Sequence, residues 1–499
     1  MRSLNRLLST GLFLRRCLCT AEVAAEESPS LVRKGDRLYR RLSRLGAIGK
    51  TVSETLDEFF RDGGVIKKNN LERCIRELRY YSNFQHALEI MDWMQMRGIT
   101  LPQRHHAVRL DLIAKAMGIS AAKNYFDDLL PSEQNLYTYG ALLNCYCQEG
   151  LENEALELFK KMDEMNVAST NLAYNNLMSL YMKLGKPEKV APLVEEMKEK
   201  DISPSTFTYC IWIQSYSCLN DIAEVERVME EVKKDDKEKL DWSIYSNLAN
   251  AYIKAGDFMK AESALKQLEK VMKRRDRQAY HFLLGLYANT SNLAQVKRIW
   301  NVYKSVFPVT NNLSYLVMLQ SLSRVRDLVG FKDVFMEWET RCSSYDVRLA
   351  NIAIKTYLEA DMVGEAELVF KRAVKRSAGP FFKAREMFTL YFLENRLIDS
   401  ALRHMEAAVG EAKDNEWHPP PKIVSKVFDY FHEEMDIDRA EVFIKLLKKV
   451  GSCDSMTYNL LVQTYISAGK TVPDIQRRLE EHGIEMNDEL EKLLEKESK

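Results

Sequence analysis

The side chains best suited to catalysis or metal binding in this 499-residue chain lack the neighbours that such chemistry needs. Cys145 and Cys147 are two residues apart in a helical pattern, so they point to different faces of a helix. His432-Glu433-Glu434 lacks the second histidine of a zinc-protease helix. Asp62-Gly63-Gly64 is not followed by the Gly-Lys-Ser/Thr of a phosphate-binding loop. We therefore predict no catalytic residues, no metal ligands and no cofactor, and thus no enzyme.

The charge balance restricts the partners that the chain can bind. It contains 72 Lys and Arg residues and 72 Asp and Glu residues, so its formal net charge is zero. This balance argues against a protein that coats nucleic acid by bulk attraction, but it allows a local basic stripe. No run of about 18 apolar residues is present, so we expect no membrane-spanning helix and no membrane partner. The nine irregularly spaced cysteines indicate free thiols in a reducing compartment.

The first residues have the composition of a targeting segment. Residues 1–21 contain four arginines and no acid, and the first acid is Glu22. Leu4, Leu7, Leu8 and Leu12 would form one apolar stripe on a helix. An Arg-rich, acid-free, amphipathic start is typical of an organelle transit peptide, which we assign to residues 1–27. The arginines favour the mitochondrion, and its matrix, over the plastid; the alternative is an ordinary basic terminal helix.

A period of about 35 residues dominates the rest of the chain. The first-helix anchor Tyr139 recurs at steps of 35, 35, 36, 35, 35, 35, 35, 39 and 34 residues. These recurrences are Tyr174, Tyr209, Tyr245, Tyr280, Tyr315, Ala350, Arg385, Val424 and Tyr458. Apolar residues follow Tyr139 at three, four and seven positions, as Leu142, Leu143 and Tyr146, which is the pattern of an amphipathic helix. A second amphipathic helix follows in each repeat.

The period predicts the architecture of the molecule. One helix pair of this size cannot bury its apolar face alone, but a stack of pairs can. We therefore expect an all-α fold, a right-handed α-solenoid of stacked antiparallel helix pairs with a long concave surface. The array of about 11 units spans residues 68–487. It follows an N-terminal helical segment or degenerate repeat, residues 28–67, and precedes a polar C-terminal cap, residues 488–499.

The repeat motifs identify the kind of helical repeat. Tetratricopeptide repeats have 34 residues and a glycine at the eighth position, where this chain has Leu143. The junctions instead contain Tyr174-Asn175-Asn176-Leu177-Met178 and Thr457-Tyr458-Asn459-Leu460-Leu461. These motifs, over residues 68–487, closely resemble the pentatricopeptide repeat family, in its plain P-class of the plant organellar type.

The resemblance implies that single-stranded organellar RNA is bound, one base per repeat. In the family the residue after the anchor (here the reading residue) works with the last residue of the repeat (here the closing residue). The pairs that match the family's combinations are Asn175/Ser205, Ser246/Asp276, Ser425/Asp454 and Asn459/Asn487. The reading residues Gly140, Leu316 and Glu386 do not match.

Charges eight residues beyond the reading residues predict where RNA lies. Lys183, Lys254 and Arg324 occupy this place in the earlier repeats and can meet phosphate. Glu359, Glu394 and Glu433 occupy it later and would repel phosphate. We therefore expect RNA contact around residues 171–324, and a C-terminal half that docks protein or only completes the solenoid. The alternative is that these charges are merely solvated.

Two classes of function follow from these features. The first is an organellar RNA-binding protein that acts in mitochondrial transcript processing, stability or translation, or as a constituent of the mitochondrial ribosome. The alternative is a protein–protein scaffold that uses the concave surface, which the neutral charge and the unmatched pairs favour. Steep weakening of binding by salt would distinguish RNA binding from scaffolding.

The N-terminal segment generates a first testable prediction. A fluorescent reporter fused to residues 1–40 is expected to enter mitochondria and to lose the segment, because an acid-free, Arg-rich amphipathic helix directs import. Microscopy and the size of the imported reporter measure both events. A reporter that stays in the cytosol would show the segment to be an ordinary basic helix.

Overall fold

The computed structural model describes residues 37–42, 51–64, 66–99, 104–168, 170–235, 240–412, 417–480, 484 and 491–492. The proposed transit peptide, Asn487 and most of the proposed C-terminal cap lie outside these residues. The chain divides into two compact units, residues 1–272 and 273–499. All the regular elements in the described part of the chain are helices, so the all-α prediction is confirmed.

The first unit contains fourteen α-helices in its described residues. They are α1 Arg37–Leu42, α2 Val52–Arg61, α3 Lys68–Tyr80, α4 Phe84–Met96, α5 Arg104–Met117, α6 Ile119–Asp127, α7 Leu136–Glu149, α8 Glu152–Glu164, α9 Asn171–Lys183, α10 Val190–Glu199, α11 Thr206–Leu219, α12 Ile222–Asp235, α13 Trp242–Ala255 and α14 Phe258–Val271. A short 3-10 turn, Pro187–Lys189, precedes α10.

The second unit continues the same alternation of helices. Its described helices are α15 Arg277–Asn289, α16 Leu293–Val306, α17 Asn312–Arg324, α18 Leu328–Arg341, α19 Val347–Glu359, α20 Val363–Arg376, α21 Phe382–Glu394, α22 Ile398–Glu411, α23 Pro421–Glu434, α24 Ile437–Lys448, α25 Ser455–Ser467 and α26 Ile475–Glu480.

Each unit is a stack in which helices pack only near their neighbours in sequence. From α7 onward the odd-numbered helices are the first helices of the repeats, and those from α7 to α23 each pack on the second helix of the same repeat, which comes directly after it in the chain. First helices also pack on first helices, as α7 on α9 and α9 on α11 in the first unit, and α15 on α17 in the second. This nearest-neighbour packing is the solenoid arrangement that the period predicts.

The anchor tyrosines form the core between helices, as their apolar spacing indicates. Tyr174 and Tyr458 are fully buried, and Tyr139, Tyr209 and Tyr280 are nearly so. Their polar ends find local partners, as when the Tyr174 hydroxyl donates to Glu196 Oε1 at 3.0 Å. Burial, followed by the neighbouring Glu337 carboxylate, raises the pKa of Tyr315 to about 12, so this hydroxyl stays protonated and donates to Glu337. The tyrosines are therefore core residues and not stacking platforms for bases.

Sharp turns end several first helices where the sequence places glycine. Gly150 follows α7 with φ +86° and Gly256 follows α13 with φ +80°, a left-handed conformation that glycine adopts without a Cβ clash.

Within the residues that the structure describes, no helix is both long and apolar enough to span a membrane.

The stacked packing predicts a local response to a core substitution. Leu283 is fully buried on α15, so Leu283→Ala should cost about 2–5 kcal/mol. Because α15 contacts α16 and α17, amide hydrogen exchange should accelerate first in residues 277–324. Val329→Ala, on an exposed position of α18, should leave exchange near the wild-type rate. Equal loss of protection throughout residues 273–499 would contradict a stack of semi-independent repeats.

Candidate nucleic-acid interface

The Asn175 side chain contacts its predicted closing residue, Ser205. Its Nδ2 donates to Ser205 Oγ at 3.4 Å, and its Oδ1 accepts from Thr208 Oγ1 at 2.8 Å. Asn175 is 4% exposed, so a shell of neighbouring groups holds its amide in one orientation. The structure thus brings this reading residue and its closing residue together.

The same kind of contact recurs between other first helices. Cys210 Sγ lies 3.4 Å from Ser243 Oγ, and His281 Nε2 lies 2.8 Å from Ser314 Oγ. Like Asn175 and Thr208, these partners are 33 residues apart in sequence. These three reading residues, two in the first unit and one in the second, therefore bond to a hydroxyl on the next first helix, and we call these contacts the polar ladder. The separation of 33 residues in sequence therefore follows from the packing of one first helix on the next and not from the kind of side chain.

The closing residues have a second role as helix N-caps. Ser205 Oγ accepts from Thr208 N at 3.2 Å in a capping box that begins α11. Asp276 accepts from Gln278 N at 3.0 Å at the start of α15, and Asp454 accepts from Thr457 N at 2.8 Å at the start of α25. Each cap satisfies backbone N–H groups that the first turn leaves unbonded.

The other predicted pairs are less completely described. Ser246 is buried on α13 and donates to Ser243 O at 2.8 Å, and it belongs to the first unit, whereas Asp276 belongs to the second. Ser425 is half-buried on α23, and Asp454 is exposed in the same unit. Asn459 is buried on α25, whereas its partner Asn487 lies outside the described residues.

Three exposed cations lie in the last turns of first helices and reach the preceding repeat. Lys183 Nζ donates to the Gln148 carbonyl, Lys254 Nζ lies 3.9 Å from Cys218 Sγ, and Arg324 Nη1 donates to Asn289 Oδ1. In the described part of the chain, none of the three forms an ion pair. Their charge is therefore not cancelled locally, and it remains available to an anion.

The three acids at the equivalent places are, in contrast, all ion-paired. Glu359 lies 3.0 Å from Lys355, Glu394 lies 2.7 Å from Lys426, and Glu433 lies 2.8 Å from Arg396. These pairs are exposed, so each contributes roughly 0–1 kcal/mol. They reduce the repulsion of phosphate that we expected from the carboxylates, but they supply no attraction.

Cys145 and Cys147 show no reactive environment. Cys145 and Cys147 are buried, and burial raises the pKa of Cys147 to about 12, so this thiol is protonated at neutral pH. Among the described residues, no group of three or more His, Cys, Asp or Glu side chains could hold a metal ion.

Sequence reasoning missed the hydroxyl partners of the ladder. Thr208 and Ser314 each directly precede an anchor tyrosine, and Ser243 lies two residues before Tyr245. The signal that could have found them is the recurrence of a hydroxyl 33 residues after a reading residue.

Stacked helix pairs with a polar ladder along their first helices define an α-helical repeat protein. Family models describe its repeats: the PPR repeat family matches residues 169–218, and the PPR repeat matches residues 137–167, 207–236 and 243–271. A mitochondrial pentatricopeptide repeat-containing protein of Arabidopsis thaliana is 45% identical over 92% of this chain and 86% of its own length. The chain belongs to the pentatricopeptide repeat family.

A ribosomal protein and a solved helical-repeat structure are also similar to this chain. The Arabidopsis thaliana protein named large ribosomal subunit protein mL101 is 42% identical over 92% of this chain and 94% of its own length. The crystal structure of the pentatricopeptide repeat protein PPR10 from maize is similar to this structure, with a TM-score of 0.59 and 18% sequence identity. The match covers 97% of this chain and 68% of the PPR10 chain. This similarity shows the helical-repeat fold.

The ladder predicts different costs for the same substitution in two repeats. Asn175→Ala removes two hydrogen bonds from a buried site and should reduce local stability by about 1–2 kcal/mol. Asn351→Ala, at the same repeat position, should cost less than about 0.5 kcal/mol, because the buried Asn351 Oδ1 has no partner among the described atoms. Hydrogen exchange in α9–α11 and in α19–α21 measures the two effects. Equal effects would show that the ladder contributes nothing to stacking.

Proposed function

We propose that this protein binds single-stranded RNA in the mitochondrial matrix along the first helices of its repeats. The observation that carries the proposal is the set of three exposed cations, Lys183, Lys254 and Arg324, whose contacts are with neutral groups. Phosphate is an anion that such exposed cations attract. The mitochondrial names of the relatives support the compartment.

The bases would meet the reading residues one helical turn or two away from these cations. Asn175 with Ser205, and Ser246, belong to the repeats that contain Lys183 and Lys254, and they are the residues of the first unit from which we expect base contact. Ser425/Asp454 and Asn459/Asn487 match the family's combinations too, but they belong to the C-terminal repeats. The RNA contact is therefore concentrated in repeats between residues 171 and 324.

The acids of the C-terminal repeats favour a second role there. Glu359 and Glu394 are the last residues of their helices, and Glu433 lies in the last turn of α23. A carboxylate at a helix C-terminus costs roughly 0.3–1 kcal/mol, so helix stability does not explain these residues. We infer that this part docks a protein. The relative named as a ribosomal subunit protein supports a mitochondrial ribosome as the setting, with transcript processing, stability or translation outside the ribosome as the alternative.

A matched pair of triple variants tests the RNA proposal. Changing Lys183, Lys254 and Arg324 to Gln should weaken binding of a fluorescent random-sequence RNA of about 30 nucleotides and flatten its dependence on salt. The slope of log affinity against log salt should fall in magnitude by about 2, since each phosphate contact on a single strand contributes about 0.7. Changing Glu359, Glu394 and Glu433 to Gln should change affinity and slope little.

Equal effects of the two triple variants would remove the basis of the proposal, because both sets lie at the same repeat position. Gln is used in both because it introduces no acid at a helix C-terminus. Sedimentation of mitochondrial extract then addresses the setting. Comigration with the large ribosomal subunit supports a ribosomal constituent, and migration as free protein with crosslinked transcripts supports the alternative.

A further inference from the structure

The first helix α21 presents an aromatic ring and a carboxylate next to each other on one face. Glu386 is the reading residue of α21, and Phe382 lies one turn earlier on the same face. Glu386 belongs to the repeat whose anchor is followed by a step of 39 residues, four longer than the usual period. This repeat therefore has extra chain available near its reading residue.

Trp417, from the segment between α22 and α23, covers both of these side chains. Its indole stacks on Phe382 with ring centroids 5.1 Å apart and ring planes within 10°. Its Nε1 donates to Glu386 Oε1 at 3.1 Å. Trp417 is 9% exposed and the Glu386 side chain is 11% exposed, so the contact is largely closed to solvent.

The polar ladder explains why Glu386 takes its donor from Trp417. The reading residues Asn175, Cys210 and His281 each bond to a hydroxyl 33 residues later. The residue 33 positions after Glu386 is Pro419, which has no side-chain donor and no backbone N–H. The Glu386 carboxylate instead accepts from the Trp417 indole N–H through Oε1 and from Lys383 Nζ through Oε2 at 2.9 Å, so both of its oxygens have a partner.

The arrangement has the two components of base recognition by a repeat protein. A planar ring lies with its face on an aromatic side chain, and its edge N–H is bound by the reading residue. We propose that Trp417 occupies the base position of this repeat and thereby ends the row of reading residues that an RNA strand can follow. The inference rests on the proposed RNA binding and assigns one residue as the limit of the RNA track.

A consequence concerns the reading residues beyond this point. Phosphate contact is concentrated before residue 324, and a strand that continues past Arg324 along the first helices of this unit meets the Trp417 ring at Glu386, so it does not reach Ser425 or Asn459. That strand then makes no contact with the pairs Ser425/Asp454 and Asn459/Asn487, although both pairs match the family's combinations. Trp417 thus determines how many bases the array binds, a property that the pairs alone do not predict.

The length of RNA protected from ribonuclease tests the inference. RNAs selected by the full-length wild-type protein from a random pool of about 30 nucleotides serve as the probe. Trp417→Ala should lengthen the protected stretch by about one nucleotide or more, because it vacates one base position and opens those beyond it. The matched control is His418→Ala, in the same segment, whose exposed ring bonds to Ser452 instead. It should leave the length unchanged.

A second variant distinguishes loss of the Trp417 contact from misfolding of the Trp417→Ala protein. Glu386→Ser removes the acceptor that holds Trp417 and should also lengthen the protected stretch, and hydrogen exchange in α21–α23 checks that both variants are folded. Wild-type binding with an unchanged protected length in both folded variants would overturn this inference alone. Absence of RNA binding by the wild type and both variants would overturn the proposed function and the inference with it.

Discussion

The structure depends on the inability of one short helix pair to bury its own apolar face. Each pair must stack on the next, and stacking places first helix against first helix. Once that contact is made, residues 33 apart in sequence become neighbours, and a polar residue on one helix needs a partner on the next. Asn175 with Thr208 and His281 with Ser314 are such pairs. The row of polar groups that could meet a ligand is therefore a consequence of how the core is closed.

The closing residues show how one side chain serves both the fold and the candidate site. Asp276 and Asp454 cap first helices, so an acid or hydroxyl at this place is stabilising without any RNA. Ser205 caps α11 and also bonds to Asn175. The presence of Asp or Ser there is thus weak evidence for base reading on its own. The evidence becomes stronger where the reading residue of the preceding helix contacts the cap.

The sequence predicts the helix pairs well because the 35-residue period and the apolar spacing are both visible in it. The burial of Tyr174 and Tyr458 and the turns at Gly150 and Gly256 follow from the same local rules. Contacts that depend on where a longer junction folds back cannot be obtained this way. Glu386 looks only mismatched in the sequence, and the 39-residue step looks only like an insertion. Only the path of the chain in space shows that Trp417, from the longer junction, stacks on Phe382 and donates to Glu386.

A chain of zero net charge can still attract a polyanion, provided that its charges are distributed unevenly. Exposed carboxylates such as Glu359, Glu394 and Glu433 have a cation within 3.0 Å, so their field is short-ranged. Lys183, Lys254 and Arg324 contact only neutral groups in the described part of the chain. At a distance the protein is neutral, and near these first helices it is positive. For the RNA binding that we propose, bulk attraction is therefore weak, and a strand would gain phosphate contacts only when it lies along the first helices. Selectivity would then depend on the fit of the strand to the repeats rather than on bulk charge.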